Sequence, residues 1–113
     1  MQDCLFCKIA KGDIPSEILY EDDLITAFKD VDPKAPFHAL IIPKHHVESA
    51  AQLTEDEGTL LGRVFATAAR LVKQAGYTNG YRVVTNVGPD GGQSVQHLHF
   101  HVLAGRQLGW PPG

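Results

Sequence analysis

Apolar and polar positions along the chain repeat with two periods, near two and near 3.6, and breaker residues separate the segments. Residues 4–11 (CLFCKIAK) predict a short helix closed by Gly12. Residues 18–20 and 24–29 predict a strand pair around the acidic turn Glu21-Asp22-Asp23. Asp32, Pro33, Lys34, Ala35 and Pro36 form a break, after which 38–42 reads as a buried strand stopped by Pro43. The strongest helix signal covers 55–75. Thr54 is a natural N-cap with Glu57 completing a capping box, Leu61, Val64, Phe65, Ala68, Leu71, Val72 and Ala75 form one apolar stripe, and Gly76 supplies the stop. Residues 81–87 predict a strand, 88–94 a glycine-rich loop and 96–103 a further strand, while the tail Trp110-Pro111-Pro112-Gly113 fits no regular element. Strands outnumber helices and only one connection holds a long helix. The expected fold is therefore α+β: one domain over 1–113, with a mainly antiparallel sheet of about five strands, one long helix and one short.

Composition narrows the partners. The chain has 113 residues, 43% hydrophobic and 20% charged, with a formal net charge of −3. That is an ordinary globular balance, with no electrostatic reason to bind nucleic acid. A small anion would have to be held by local groups: backbone N–H, imidazole and hydroxyl. The longest apolar run, Ala39 to Ile42, is strand-sized, so no membrane span is expected. Met1 is followed by polar Gln2 and Asp3, which predicts no signal segment and a cytoplasmic protein. Cys4 and Cys7 are the only cysteines, a spacing that suits a metal clip or a redox pair better than a disulfide framework.

The sharpest chemical signal is His97-Leu98-His99-Phe100-His101-Val102. Strand side chains alternate between faces, so the three histidines are expected on one face and Leu98, Phe100 and Val102 on the core face. Such a ladder can be a polar sheet face, a zinc site, or a nucleophilic imidazole flanked by imidazoles that orient it and bind phosphate. The adjoining Gly88-Pro89-Asp90-Gly91-Gly92-Gln93-Ser94 favours the third. Its glycines let backbone N–H groups approach an anion, and Ser94 and Gln93 add a hydroxyl and an amide. It is not a P-loop, since no Gly-Lys-Ser/Thr follows.

With these residues in view, the chain resembles the histidine triad family, in particular its branch of small nucleotide-binding phosphoramidases. His97-Leu98-His99-Phe100-His101-Val102-Leu103 matches the family's His-x-His-x-His motif. The likeness extends through Tyr20-Glu21-Asp22-Asp23, Ala27-Phe28, Ile42-Pro43-Lys44, Gly91-Gly92-Gln93-Ser94 and Trp110-Pro111-Pro112-Gly113. It implies that His99 attacks the α-phosphorus to form a nucleotidyl-histidine. It places phosphate donors at His101, Ser94 and the loop amides around Gly92, with Asn86 and Gln93 lining the site and His38 beside the triad. It assigns the ribose to Asp30 and the base to Leu5, Phe6, Ile9, Phe28 and Val31, residues for which core packing is the competing role. It implies hydrolysis of the P–N bond of a purine nucleoside 5′-phosphoramidate; AMP, GMP and acyl-adenylate analogues are expected ligands, and no organic cofactor is. It also implies a homodimer with 55–75 and 81–87 at the seam, where Gly62 fits the close approach of a neighbour, and a tail that reaches through Trp110 toward the partner's site.

The same resemblance implies a structural zinc held by Cys4, Cys7, His46 and His97, with His45 a possible substitute for His46. In that arrangement His97 cannot donate to phosphate. Two other functions remain open on the sequence: a zinc-dependent hydrolase with the histidine ladder as its metal site, and a nucleotide-binding interaction module in which hydrolysis is slow.

Overall fold

The computed structural model describes residues 4–113, so the expectation about Met1, Gln2 and Asp3 lies outside the described residues. In chain order the elements are α1 (Leu5–Lys11), β1 (Ile18–Glu21), β2 (Ile25–Lys29), β3 (Phe37–Pro43), α2 (Gly58–Gln74), β4 (Tyr81–Val84) and β5 (Phe100–Ala104). Short 3₁₀ turns at Ala50–Gln52 and Glu55–Glu57 precede α2. The strands form one antiparallel sheet in the order β1-β2-β3-β5-β4. The α+β class and the five antiparallel strands are as the pattern predicts.

Each sheet face is covered by a helix. Ile25 and Ala27 of β2, Phe37, Ala39 and Ile41 of β3, and Phe100, Val102 and Ala104 of β5 pack with Leu60, Val64, Ala68, Leu71 and Val72 of α2. On the opposite face Phe28, Leu40 and Ile42 pack with Phe6 and Ile9 of α1. β3 is buried along its whole length because it is covered from both sides, which is why it reads as a continuous apolar run. Burying a large aliphatic side chain such as Ile25, Ile41 or Val64 contributes roughly 1.5–3 kcal/mol.

Several boundaries differ from those predicted, each for a local reason. The helix over 55–75 starts at Gly58, because Glu55–Glu57 forms a 3₁₀ turn. Thr54 makes no side-chain cap; the reciprocal box forms instead between Ser49 and Gln52. The buried stripe of α2 is Leu60, Val64, Thr67, Ala68, Leu71 and Val72, rotated so that Phe65 is half exposed and Ala75 lies outside the helix. Gly76, at φ +91°, turns the chain away after α2 as predicted. The strand over 81–87 ends at Val84 and the strand over 96–103 begins only at Phe100. Between them, polar groups that would form a ladder find other partners. The Leu98 amide donates to the Val47 carbonyl at 2.6 Å, and the Thr85 hydroxyl donates to the His99 carbonyl at 2.8 Å. Alternation survives without the ladder: Leu98, Phe100 and Val102 face α2, and the three histidines face the other way.

Candidate active site

His99 is buried, and its Nδ1 lies 2.7 Å from the carbonyl oxygen of His97. A carbonyl can only accept, so Nδ1 carries a proton, and whenever the ring is neutral Nε2 is the nitrogen with the lone pair. In the neutral ring this tautomer leaves Nε2 as the nitrogen that can accept a proton or act as a nucleophile. The Phe6 ring meets His99 edge to face at a centroid distance of 5.1 Å, and the His101 ring meets it edge to face at the same distance.

His101 and His38 form a second hydrogen-bonded unit. They are diagonal neighbours on one face of the β3–β5 pair, where His38 pairs with Leu103 and His101 with Leu40. The backbone N–H of Lys34 donates to His38 Nδ1 at 3.0 Å, and His38 Nε2 lies 2.9 Å from His101 Nδ1. Burial pushes the His38 ring below its usual value, so at neutral pH it is uncharged and holds its proton on Nε2. That proton is donated to His101 Nδ1, which leaves the His101 proton on Nε2. Burial first, and the neighbouring His99 and His38 next, push His101 down to about 4. The Asp30 carboxylate lies 3.4 Å from His38 Nε2 through one oxygen and accepts the Asp32 amide through the other. Asp30, His38 and His101 are close enough to suggest a metal triad. The Lys34 donor argues against one, because a neutral His38 cannot accept at Nδ1 and also bind a cation at Nε2.

The other histidine cluster has the opposite character. One ligand atom each from Cys4, Cys7, His46 and His97 lie within 4.8 Å of one another. Cys4 Sγ and Cys7 Sγ approach His97 Nδ1 at 3.3 and 3.4 Å, and Cys7 Sγ approaches His46 Nδ1 at 3.3 Å. Tetrahedral zinc separates sulfur and nitrogen ligands by about 3.5 Å, so the donor set fits. The tautomer fits as well: His97 Nε2 donates to the Pro43 carbonyl at 3.0 Å, which leaves the Nδ1 lone pair facing the sulfurs. Burial, partly opposed by the Pro43 bond, pushes His97 down to about 4, so it is neutral as a ligand must be. His46 belongs to this cluster and His45, which is exposed, does not.

The glycine-rich loop sits where the ladder begins. A Cβ at Gly91 would run into the Val87 backbone, so only glycine allows that turn. The Gln93 side chain, predicted to line the site, instead braces the loop. Its amide donates to the Glu48 and Val95 carbonyls and accepts from the Gly88 N–H. Asn86 donates to the Gly91 carbonyl at 2.6 Å. Ser94 is exposed. Among the proposed base contacts, Phe6, Ile9 and Phe28 are packed in the core beneath α1, whereas Leu5 is 45% and Val31 96% exposed. Core packing therefore does not account for Leu5 or Val31. The sequence reading missed Lys34, Pro43, Val47 and Thr85. Three of them act through the backbone, where no residue type signals the role. A cavity of about 470 Å³ opens at the far ends of β4 and β5, beside Tyr77, Asn79, Arg82 and Arg106, and none of the histidines lines it.

Comparison with known proteins agrees with this geometry. The HIT domain matches residues 11–108. An uncharacterized HIT-like protein of Synechococcus elongatus is 49% identical over 112 residues, covering 99% of this chain and 98% of that protein. A 14 kDa zinc-binding protein of Zea mays is 48% identical over 111 residues, covering 96% and 87%. Among solved structures, a HIT family hydrolase from Legionella pneumophila superposes with a TM-score of 0.95 at 47% identity, covering 98% of this chain and all of that one. A histidine triad protein from Clostridium difficile gives 0.92 at 44% identity, covering 96% of each. With the family's domain spanning most of its length and its three histidines facing the same way, the chain belongs to the HIT, or histidine triad, family.

Proposed function

We propose that the protein is a nucleotide hydrolase of the phosphoramidase branch. It cleaves the P–N bond of a purine nucleoside 5′-phosphoramidate through a nucleotidyl intermediate on His99. The observation that carries this reading is the 2.7 Å bond from His99 Nδ1 to the His97 carbonyl, which leaves Nε2 free to attack. The Legionella relative named as a hydrolase supports the reaction class. In the first step the Nε2 lone pair forms a bond to the α-phosphorus as the P–N bond breaks. The departing nitrogen gains a proton and leaves as an amine. His101 Nε2–H and the Ser94 hydroxyl are the donors available to the phosphate oxygens and the leaving group, with the amides near Gly92 adding fixed dipoles. Water then attacks the nucleotidyl-histidine and returns a proton to the donor that protonated the amine, releasing the nucleoside monophosphate and restoring the His99 ring with its proton on Nδ1.

Cys4, Cys7, His46 and His97 would hold zinc, and the zinc-binding relative from maize supports that assignment. Four protein ligands close the coordination sphere, so the ion would supply a cross-link between α1 and the triad segment and no open position for water. This weighs against the zinc-hydrolase alternative. For the substrate, Asp30 would accept the ribose hydroxyls. Exposed Leu5 and Val31 would flank the base, over a floor of Phe6, Ile9 and Phe28. A homodimer through the outer edge of β4 and the neighbouring face of α2 would cover half-exposed Phe65 and Tyr81, with open space at Gly62 for the approach. Trp110, 85% exposed, is free to reach a partner. Two free thiols in a metal clip suit the reducing cytoplasm. No helix among the described residues is long and apolar enough to cross a membrane.

Single-turnover hydrolysis of an adenosine 5′-phosphoramidate tests the reading. The wild type is expected to turn over. His99→Ala is expected to lose activity by about a thousandfold or more while still binding AMP. Retained turnover in that variant would falsify the assignment of the nucleophile. AMP binding without turnover in the wild type would favour the interaction-module alternative.

A further inference from the structure

We propose that the four-residue Cys/His cluster positions the nucleophile: it fixes the peptide unit between His97 and Leu98, and that unit fixes the tautomer of His99. The kinetic consequence rests on His99 being the attacking group; the tautomer itself does not.

One rigid plane links the two contacts. The carbonyl of His97 and the N–H of Leu98 belong to the same planar peptide and point in opposite directions. On one side the carbonyl accepts the His99 Nδ1 proton at 2.7 Å; on the other the Leu98 N–H donates to the Val47 carbonyl at 2.6 Å. This plane lies outside β5, so no sheet ladder holds it. What holds it is the cluster, from both ends. His97 is fully buried, and its ring is tied at Nδ1 to the sulfurs of Cys4 and Cys7 and at Nε2 to the Pro43 carbonyl. Val47, the acceptor on the far side, follows directly after His46, which approaches Cys7 at 3.3 Å. The segment from Pro43 to Val47 thus contributes a partner for the His97 ring, a member of the cluster, and the carbonyl that anchors the peptide.

If the cluster loosens, the plane is free to turn. His99 Nδ1–H then loses its acceptor, and the proton can move to Nε2, where it occupies the lone pair needed for attack. His97 is by this account a positioning residue, acting through its carbonyl. Zinc bound by the cluster tightens the grip on both ends of the plane.

The test reads the ring of His99 directly. Wild type, His46→Ala and His46→Cys are prepared under reducing conditions, with zinc and after its removal by a chelator. Nitrogen-15 spectroscopy of the histidine rings reports the tautomer, and single-turnover kinetics and AMP binding are measured alongside. Zinc-loaded wild type is expected to hold His99 as the Nδ1–H form. His46→Ala is expected to populate the Nε2–H form and to slow the chemical step about ten- to a hundredfold, with AMP affinity little changed. His46→Cys, which returns a zinc ligand, is expected to restore both. An unchanged His99 tautomer in His46→Ala and in chelated wild type overturns the proposal. Should His46→Ala fail to fold, the zinc titration of wild type gives the same readout. The spectrum needs no substrate, so a wild type that hydrolyses no phosphoramidate sinks the proposed function without deciding the coupling, which the tautomer decides alone.

Discussion

Asp30 shows how one side chain can serve two ends. One carboxylate oxygen caps the turn by accepting the Asp32 amide, and the other stands 3.4 Å from His38 Nε2, at the rim of the histidine cluster. A ribose bound there would share the second oxygen with His38. Charge-assisted hydrogen bonds of this type are worth roughly 1.5–3 kcal/mol each, so a 2′-deoxy substrate should bind about tenfold more weakly, or somewhat worse. Asp30→Ala is expected to erase most of that preference. Asp30→Asn keeps the shape and a single acceptor oxygen, to be used by the turn cap or the ribose, and loses the charge, so it should erase only part of it. Dissociation constants for the ribo- and deoxyribonucleotide in each variant measure the ratio, and a ratio unchanged by either substitution would leave Asp30 with the turn cap alone.

Among the elements, the turn between β1 and β2 is bolted to α2 by Asp22. Its carboxylate accepts the Tyr20 hydroxyl at 2.7 Å, the amides of Leu24 and Ile25, and the Arg63 guanidinium at 2.7 Å. Burial alone would raise the Asp22 carboxyl, but these hydrogen bonds together outweigh it and hold the group well below the usual carboxylate range. A depressed folded pKa means that the unfolded chain binds the proton first. The stability contributed by Asp22 is therefore complete above the unfolded value, about 3.9, and drains away as pH falls below it. Asp22→Asn is expected to cost about 1–3 kcal/mol at pH 7 and to flatten the loss of stability below pH 4. Urea unfolding at a series of pH values gives both numbers. An acid limb as steep as in wild type would remove Asp22 from the account. On the opposite face of the sheet from α2, α1 has only seven residues and little stability of its own. It depends on Phe6 and Ile9 in the core and on the cysteine cluster.

For the whole molecule, that dependence makes zinc a stability question. About one zinc per chain is expected in protein prepared without chelators under reducing conditions, and its removal should lower the melting temperature by several degrees. Elemental analysis and thermal unfolding with and without chelator measure this. Absence of zinc in such a preparation counts against the site. Assembly is checked by sedimentation. The wild type is expected as a dimer, and Phe65→Glu, which places a charge on a ring that is 51% exposed, should shift it to monomer. A monomeric wild type at the same concentration would dismiss the seam.

The ladder of histidines, its alternation with Leu98, Phe100 and Val102, the breaks at Pro33, Pro36 and Pro43, and the long helix are local patterns, and local patterns are written in the chain. They determined the five antiparallel strands and the face on which the histidines fall. The Cys4, Cys7, His46 and His97 grouping was reached through resemblance, since residues up to 93 positions apart carry no spacing rule. Only the tertiary structure decided between His45 and His46, because which side chain turns inward depends on how the segment after β3 packs against α1 and the triad segment. It also decided the tautomers. Those follow from backbone groups, the carbonyls of His97 and Pro43 and the amide of Lys34, and every residue carries such groups whatever its side chain. The strand boundary at Phe100 has the same origin. Residue types at 97–99 favour a strand, but the groups that bond to their backbone, the Val47 carbonyl and the Thr85 hydroxyl, are supplied by other segments, and only folding brings them within hydrogen-bond reach.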